Sequence, residues 1–278
     1  MMRLLKYWGI FSSLAVSLGI LGLIFFVVIN AASSFSLELI FGHTSPWAAI
    51  FEGKRIWQGL WTPLGCTLKL VFWASLFAVP CGVAIGIYLA EYAGEKSEYA
   101  VRTILETLAG LPSILAGLFG FVLILFLNQF FAANTCLLLA SFCLGVLVLP
   151  LTAVNTCGAL KTIPQDTRLA AACVGLSREK TIFKVLLPSI SGSIFSGIMM
   201  SCGRCAEDTA VILMTGAVAS SSLSGLFNKF EALSFLIYYT SANYTDERQL
   251  AQVFAAAAML LLISLFFVTV GNLLRKKQ

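Results

Sequence analysis

Charge is what this sequence has least of. Lys, Arg, Asp and Glu make up 11% of its 278 residues, against about 25% in soluble domains. Hydrophobic residues account for 59%, and the mean hydropathy is +0.93. A water-soluble fold of this size cannot cover so much apolar surface. Secreted, disordered and ordinary cytosolic classes are thereby excluded. Histidine is reduced to one residue, His43, in a loop with no ligand cluster beside it, so no metal site is arguable. The eight cysteines form no disulfide framework. Cys66, Cys81, Cys136, Cys143, Cys157, Cys173, Cys202 and Cys205 sit mostly in apolar runs, where a thiol packs as a small hydrophobe. The Cys202–Cys205 spacing matches redox and metal motifs, but it lies mid-span without a second ligand pair and reads as packing.

What the sequence has is long apolar runs. Six stretches reach the length of about 20 residues that a bilayer requires: 7–32, 64–90, 108–131, 136–154, 190–218 and 250–274. The first follows Arg3 and Lys6 as a signal peptide would, but its apolar run is too long for one, so it reads as an uncleaved helix. With both termini cytoplasmic, inner segments hold twelve basic residues: Arg3, Lys6, Lys96, Arg102, Lys161, Arg168, Arg178, Lys180, Lys184, Arg275, Lys276 and Lys277. Outer loops hold four, Lys54, Arg55, Lys229 and Arg248. This asymmetry fixes a six-span topology with both ends inside. The net charge of +5 reports orientation, not nucleic-acid binding. Trp47, Trp57 and Trp61 in the outer loop 33–63 read as an interfacial belt, and Lys69 lies close enough to that surface to snorkel.

The inner loop 155–189 carries more pattern than a linker needs. Thr162, Pro164 and Gln165 suggest a capping box opening a short helix. That helix runs through Arg168, Ala170 and Ala171 to Gly175, a residue suited to a left-handed C-cap. Ser177 is placed to cap a second helix with Glu179 in its first turn, ending at Pro188. A buttressing hairpin and a docking element for a soluble partner both fit this pattern.

Ala170-Ala171, then Gly175 after three residues, then Val185-Leu186-Leu187-Pro188 after nine more, resembles the EAA loop of ABC-importer permeases. Leu169 stands at the Glu position. In that family the short helix after the Gly sits in a groove of the ATP-binding subunit. The resemblance therefore implies that Arg168, Ala170, Ala171, Gly175, Leu176, Ser177, Leu187 and Pro188 belong to an ATPase-coupling segment. No G-x-x-x-x-G-K-[ST] stretch is present, so this chain does not cradle nucleotide phosphates in the P-loop manner. ATP and magnesium are expected on a partner subunit, and the chain itself is not expected to be an enzyme.

The fifth span holds Arg204, Glu207 and Asp208. Ionisable groups at membrane depth are costly unless paired or facing a polar cavity. On a continuous helix, both carboxylates fall within reach of the Arg204 guanidinium, and Gly197, Ser201, Arg204, Asp208 and Thr215 share one stripe. Such a stripe either packs helix on helix or lines a pathway, and an always-protonated Arg suits an oxyanion.

Here the resemblance narrows. The run from Gly203 to Ala210 resembles the Gly-Arg-Ala-x-Gly-Glu-Thr-Ala stretch of phosphate-specific ABC permeases of the PstA type. Arg204 and Thr209 match it, Asp208 replaces Glu, and Glu207 replaces Gly. Gly86-Ile87-Tyr88-Leu89-Ala90-Glu91-Tyr92-Ala93 is similar to the same family, as are Leu111-Pro112-Ser113-Ile114 and Gly117-Leu118-Phe119-Gly120. Val154 and Cys157 stand where many phosphate permeases carry an Arg and, three residues on, a Glu.

The expected fold is all-α and integral to the membrane: six spans with a MetI-like permease core at 62–278, preceded by an N-terminal helix and outer loop at 1–61. The resemblance implies a bacterial inner-membrane subunit of an ATP-driven phosphate importer. Arg204, Glu207, Asp208, Ser201 and Thr209 would lie on the path. Expected partners are a PstC-type second permease, a PstB-type ATPase dimer, an external phosphate-binding protein and the bilayer. An importer of sulfate or molybdate remains the near alternative, and an ATP-independent secondary transporter or channel the distant one.

Overall fold

The computed structural model describes residues 2–34, 37–41, 59–131, 135–218 and 225–276. His43, Trp47, Trp57, Lys54, Arg55 and Lys277 lie outside them. The described chain is helical, with one isolated bridge between Ala217 and Phe230. Its helices are α1 (Met2–Ser34), α2 (Leu37–Phe41), α3 (Trp61–Ile87, followed by a wide π turn over Tyr88–Tyr92), α4 (Glu95–Gly110), α5 (Ser113–Phe131) and α6 (Leu137–Lys161). They continue as α7 (Gln165–Cys173), α8 (Arg178–Ser189, including a second π turn over Ile182–Leu186), α9 (Ser191–Glu207), α10 (Thr209–Met214), α11 (Leu233–Asn243) and α12 (Glu247–Lys276).

Four helical stretches are each long and apolar enough to cross a membrane: Lys6–Ala32, Trp61–Tyr92, Leu137–Lys161 and Glu247–Arg275. Two bent pairs, each counted as one span, bring the number among the described residues to six. The α4–α5 pair turns by 95° and the α8–α9 pair by 69°. The first bend has a local cause. Leu111 precedes Pro112, whose ring disfavours helical backbone in the residue before it, and Leu111 adopts φ −66°, ψ 131°. The third span accordingly begins at Ser113 rather than at 108. Upstream, α4 is amphipathic, burying Leu105 and exposing Tyr99 and Ile104. The fourth span is longer than expected, reaching Lys161, because its apolar periodicity continues through Cys157 and Leu160, both buried.

The core is built on the close approach of α3 and α6. A Cβ added at Gly82 would stand 2.7 Å from Thr152 Cβ, and one at Gly86 only 2.6 Å from Thr156 Cβ and 2.7 Å from the Ala153 carbonyl oxygen. Four-residue spacing on both helices makes this a small-residue seam, the usual basis of helix association where lipid removes the hydrophobic drive. Buried Leu70, Ala74, Ala78, Leu137, Leu144 and Val148 pack beside it, and Cys205, Val211 and Phe230 join the same cluster. Near the start of α3, Leu233 N–H donates to Thr67 Oγ1 at 2.9 Å, docking α11 on α3. The outermost helix, α1, is exposed along most of its length and leans on α12, where the Phe26 and Phe254 rings meet edge to face at 5.7 Å.

Candidate functional site

Two regions gather the candidate residues. The first is a break in the middle of the fifth span. Asp208 takes φ −72°, ψ 110°, ending α9, and its Oδ1 accepts the Val211 N–H at 2.9 Å as the N-cap of α10. A short Asp side chain competes with the helix for backbone donors in this way. The expected continuous helix over 190–218 is therefore two helices, and the expected stripe is broken up. Thr215 is fully buried, and its hydroxyl donates to the Val211 carbonyl at 2.7 Å. Ser201 is 2% exposed. Its hydroxyl donates to Gly197 O at 3.0 Å and lies 3.1 Å from Thr152 Oγ1 of α6. Ser201 thus sits in the seam between helices, as does Gly197, where a Cβ would meet Asn155 at 3.0 Å. Cys202 turns toward α3, its Sγ 3.2 Å from Ser75 Oγ.

With α3, α6 and α12 packed around α9, one face of the helix stays open: Met200, Arg204 and Glu207, at spacings of four and three, are exposed. Among the described residues no ion pair joins Arg204 to Glu207 or Asp208, so the expected intrahelical pairing is absent. The Asp208 carboxylate is occupied by its cap. Arg204 lies in the last turn of α9, where the helix dipole favours a cation. Half-buried Thr209 bonds weakly to Glu207 O, at 3.4 Å. Backbone freed by a helix break at membrane depth is tolerated only inside protein or beside a water-filled cavity. The open Arg204–Glu207 face adjoins this break.

The second region is the hairpin of α7 and α8. Gly175 has φ +78°. Its N–H donates to Ala172 O at 2.9 Å and the Leu176 N–H to Ala171 O at 3.1 Å, the two bonds of a Schellman C-cap. Ser177 caps α8, its hydroxyl accepting the Lys180 N–H at 3.4 Å. The capping box expected at Thr162 and Gln165 is not formed. Because α6 runs on to Lys161, Thr162 closes that helix instead, donating to Ala159 O at 2.7 Å, and Pro164 precedes α7. Nor does Pro188 end α8. The π turn over Ile182–Leu186 precedes it and the helix continues to Ser189. Ala171, Ile182 and Leu186 are buried, whereas Leu169, Ala170, Val174, Ser177, Phe183 and Pro188 are exposed, with Leu176 and Leu187 between. Arg168 faces inward. Its Nη2 and Nε donate to Glu91 Oε1 at 2.7 and 3.3 Å, its Nη1 to Ile163 O at 2.7 Å, and its Nη2 also to Leu160 O at 3.0 Å.

Residues 82–278 match the family described as binding-protein-dependent transport system inner membrane component. That is 71% of the chain, from 197 residues of 278. The chain belongs to this family of permeases. It is 32% identical over 206 residues to the probable ABC transporter permease protein YqgI of Bacillus subtilis, covering 74% of this chain and 67% of that one. It is 29% identical over 194 residues to the phosphate transport system permease protein PstA of Mycobacterium leprae, covering 68% of this chain and 62% of that one. The chain thus spans about two thirds of these relatives' length. Among solved structures, the inward-facing MetNI methionine ABC transporter superposes with a TM-score of 0.60 at 19% identity, over 78% of this chain and 94% of that one, which establishes the MetI-like fold.

The permease places two residues at the hairpin that the sequence reading did not assign to a site, Glu91 and Tyr92. The signal was available: a carboxylate near the end of a long apolar run calls for a cation. The distance in sequence from Glu91 to Arg168, 77 residues, hid the partner. Gly175 gives the permease a direct test. Val at φ +78° strains the backbone by about 1–2 kcal/mol, although nothing lies within 4 Å to clash with its Cβ. Gly175→Val is expected to reach the membrane at normal levels with uptake down roughly tenfold, matching that cost. Phosphate uptake in cells, normalised to membrane protein, checks it. Unchanged uptake would leave the hairpin a buttress.

Proposed function

We propose that this permease is one membrane subunit of an ATP-driven phosphate importer. The observation that carries the reading is the exposed Arg204 beside the helix break at Asp208. Arg204 is a permanent cation in the fifth span, on an open face of α9, and no carboxylate pairs with it among the described residues. A guanidinium binds oxyanions in bidentate fashion. Glu207, on the same face, would keep the anion from being held too tightly, and it accepts a hydrogen bond from the P–OH that phosphate retains near neutral pH and sulfate lacks. Asp208 and Thr209 shape the break, while Ser201 fixes α9 on α6 behind it. The similarity to a permease named for phosphate transport supports the substrate.

A single open face makes half of a path, so a second permease of the PstC type would supply the other wall. An external binding protein would deliver phosphate. A PstB-type ATPase dimer, holding ATP and magnesium, would dock under the hairpin through Leu169, Val174 and Phe183, which are 63%, 80% and 66% exposed. Alternating access would follow from movement of the two permeases against each other. The bacterial inner membrane, with both termini cytoplasmic, is the location this reading requires.

Purification of the complex through a tag on this chain, followed by ATPase assay with its binding protein, tests the proposal. Phosphate should stimulate hydrolysis, and sulfate and molybdate should not. Stimulation by sulfate or molybdate alone would replace the substrate, and transport without ATP would replace the class. Orientation has its own test. Cys173 is exposed at the end of α7, so an impermeant maleimide should label it in inside-out vesicles lacking the ATPase and not in sealed cells, with the other cysteines replaced. Labelling from outside would invert the topology.

A further inference from the structure

The π turn that ends α3 meets both helices of the hairpin. The Glu91 side chain is 8% exposed and takes two hydrogen bonds from Arg168 of α7, itself 26% exposed. The next residue, Tyr92, presents its ring to the guanidinium of Arg178 of α8, 4.7 Å from the ring centroid. Consecutive helical residues point about 100° apart, which lets one turn address two helices. π turns occur frequently at functional positions. Beneath this pair, Leu160, Ile182, Leu186 and Ile190 form a buried cluster with Ile87 and Ala90. Arg168 also closes the end of α6 through the Leu160 and Ile163 carbonyls. Its charge is therefore spent inside this subunit and is not offered to a soluble partner.

We infer that the Tyr88–Tyr92 turn is a socket for the hairpin, in which Glu91 and Tyr92 are positioning residues that make α7 and α8 move as one body with α3 and α6. The inference rests on the reading of the hairpin as the coupling segment and names the contacts that transmit its movement. Above the socket, α3 and α6 are locked at Gly82 and Gly86 against Thr152 and Thr156. The same Thr152 meets Ser201, three residues from Arg204. Displacement of the hairpin would thus reach the Arg204 face through contiguous contacts.

The test uses the full complex, with Glu91→Ala and Tyr92→Leu set against the conservative Glu91→Asp and Tyr92→Phe. Two quantities are read: hydrogen–deuterium exchange of segment 165–189 without nucleotide, and ATP hydrolysed per phosphate imported in proteoliposomes. Removing the charge-assisted bonds or the stacked cation should speed exchange in the hairpin about tenfold, the loss expected for one such interaction, while α6 stays protected. ATP consumed per phosphate should rise by a similar factor. The conservative variants should stay within about twofold of the parent in both, since each keeps its interaction. Unchanged exchange in Glu91→Ala and Tyr92→Leu would overturn the socket. Faster exchange with an unchanged ATP-to-phosphate ratio would overturn the transmission, because a purely structural clamp loosens without uncoupling. If the parent complex imports no phosphate, the proposed function fails, and exchange alone still decides whether the socket exists.

Discussion

Arg204→Gln should abolish phosphate uptake while leaving the permease in the membrane. The guanidinium touches neither carboxylate in this structure, so its removal breaks no ion pair that holds α9 in place. What is lost is the positive charge on the open face. Glu207 then stands alone before an incoming anion. Truncating one partner of a desolvated, hydrogen-bonded charge pair costs about 2–5 kcal/mol, which corresponds to at least a thirtyfold loss of affinity by the usual conversion of about 1.4 kcal/mol per decade. Uptake of labelled phosphate at matched membrane levels is the measurement. The triple variant Arg204→Gln, Glu207→Gln, Asp208→Asn separates two explanations. Asn caps a helix as well as Asp, so α10 should survive. If Arg204 served only to neutralise the carboxylates, neutralising them as well would restore transport. If it binds the substrate, the triple variant stays inactive. Uptake near the parent level by the triple variant would sink the pathway role.

Gly86→Val should remove the protein from the membrane fraction altogether. Its Cβ would stand 2.7 Å from the Ala153 carbonyl oxygen, a backbone atom with no rotamer to escape into. The neighbouring Thr156 Cβ at 2.6 Å is equally fixed, being part of a buried, β-branched side chain. The two helices must separate, and overpacking of a tight core costs about 1–3 kcal/mol or more. The loss falls on the seam between α3 and α6. Gly19→Val is the control, because nothing lies within 4 Å of a Cβ there. Immunoblotting of membranes and thermal unfolding in detergent read the outcome. Normal abundance of Gly86→Val would show that α3 and α6 do not approach as described.

Long apolar runs and basic asymmetry made the number of spans legible in the sequence, because lipid leaves a helix no other way to satisfy its backbone. The hairpin was legible through Gly175 and Ser177, whose cap geometry is local. Periodicity failed at Asp208. A helical wheel assumes an unbroken helix, and it cannot foresee that this carboxylate prefers the Val211 N–H to Arg204. For the same reason Ser201 was expected beside Arg204 and is found in the α6 seam. Thr162 was misassigned because a cap belongs to whichever helix end reaches it, and α6 proved seven residues longer than its most apolar stretch, running to 161 rather than 154. The Arg168–Glu91 contact is tertiary: the lone carboxylate called for a cation, but nothing local named its partner.

The isolation of α1 bears on how the protein is made. This helix leaves the ribosome well ahead of its chief neighbour among the described residues, α12. At about 5–20 residues per second, α1 waits in the bilayer for tens of seconds before that neighbour exists. Its stretch Lys6–Ala32 is apolar and exposed along nearly all of its length, so it is at ease in lipid by itself. The charged fifth span could not wait in this way. By the time Arg204 and Glu207 enter the membrane, α3 and α6 have already been synthesised and α9 has a seam to dock into. The order of elements along the chain thus spares the least lipid-soluble helix a solitary residence in the bilayer.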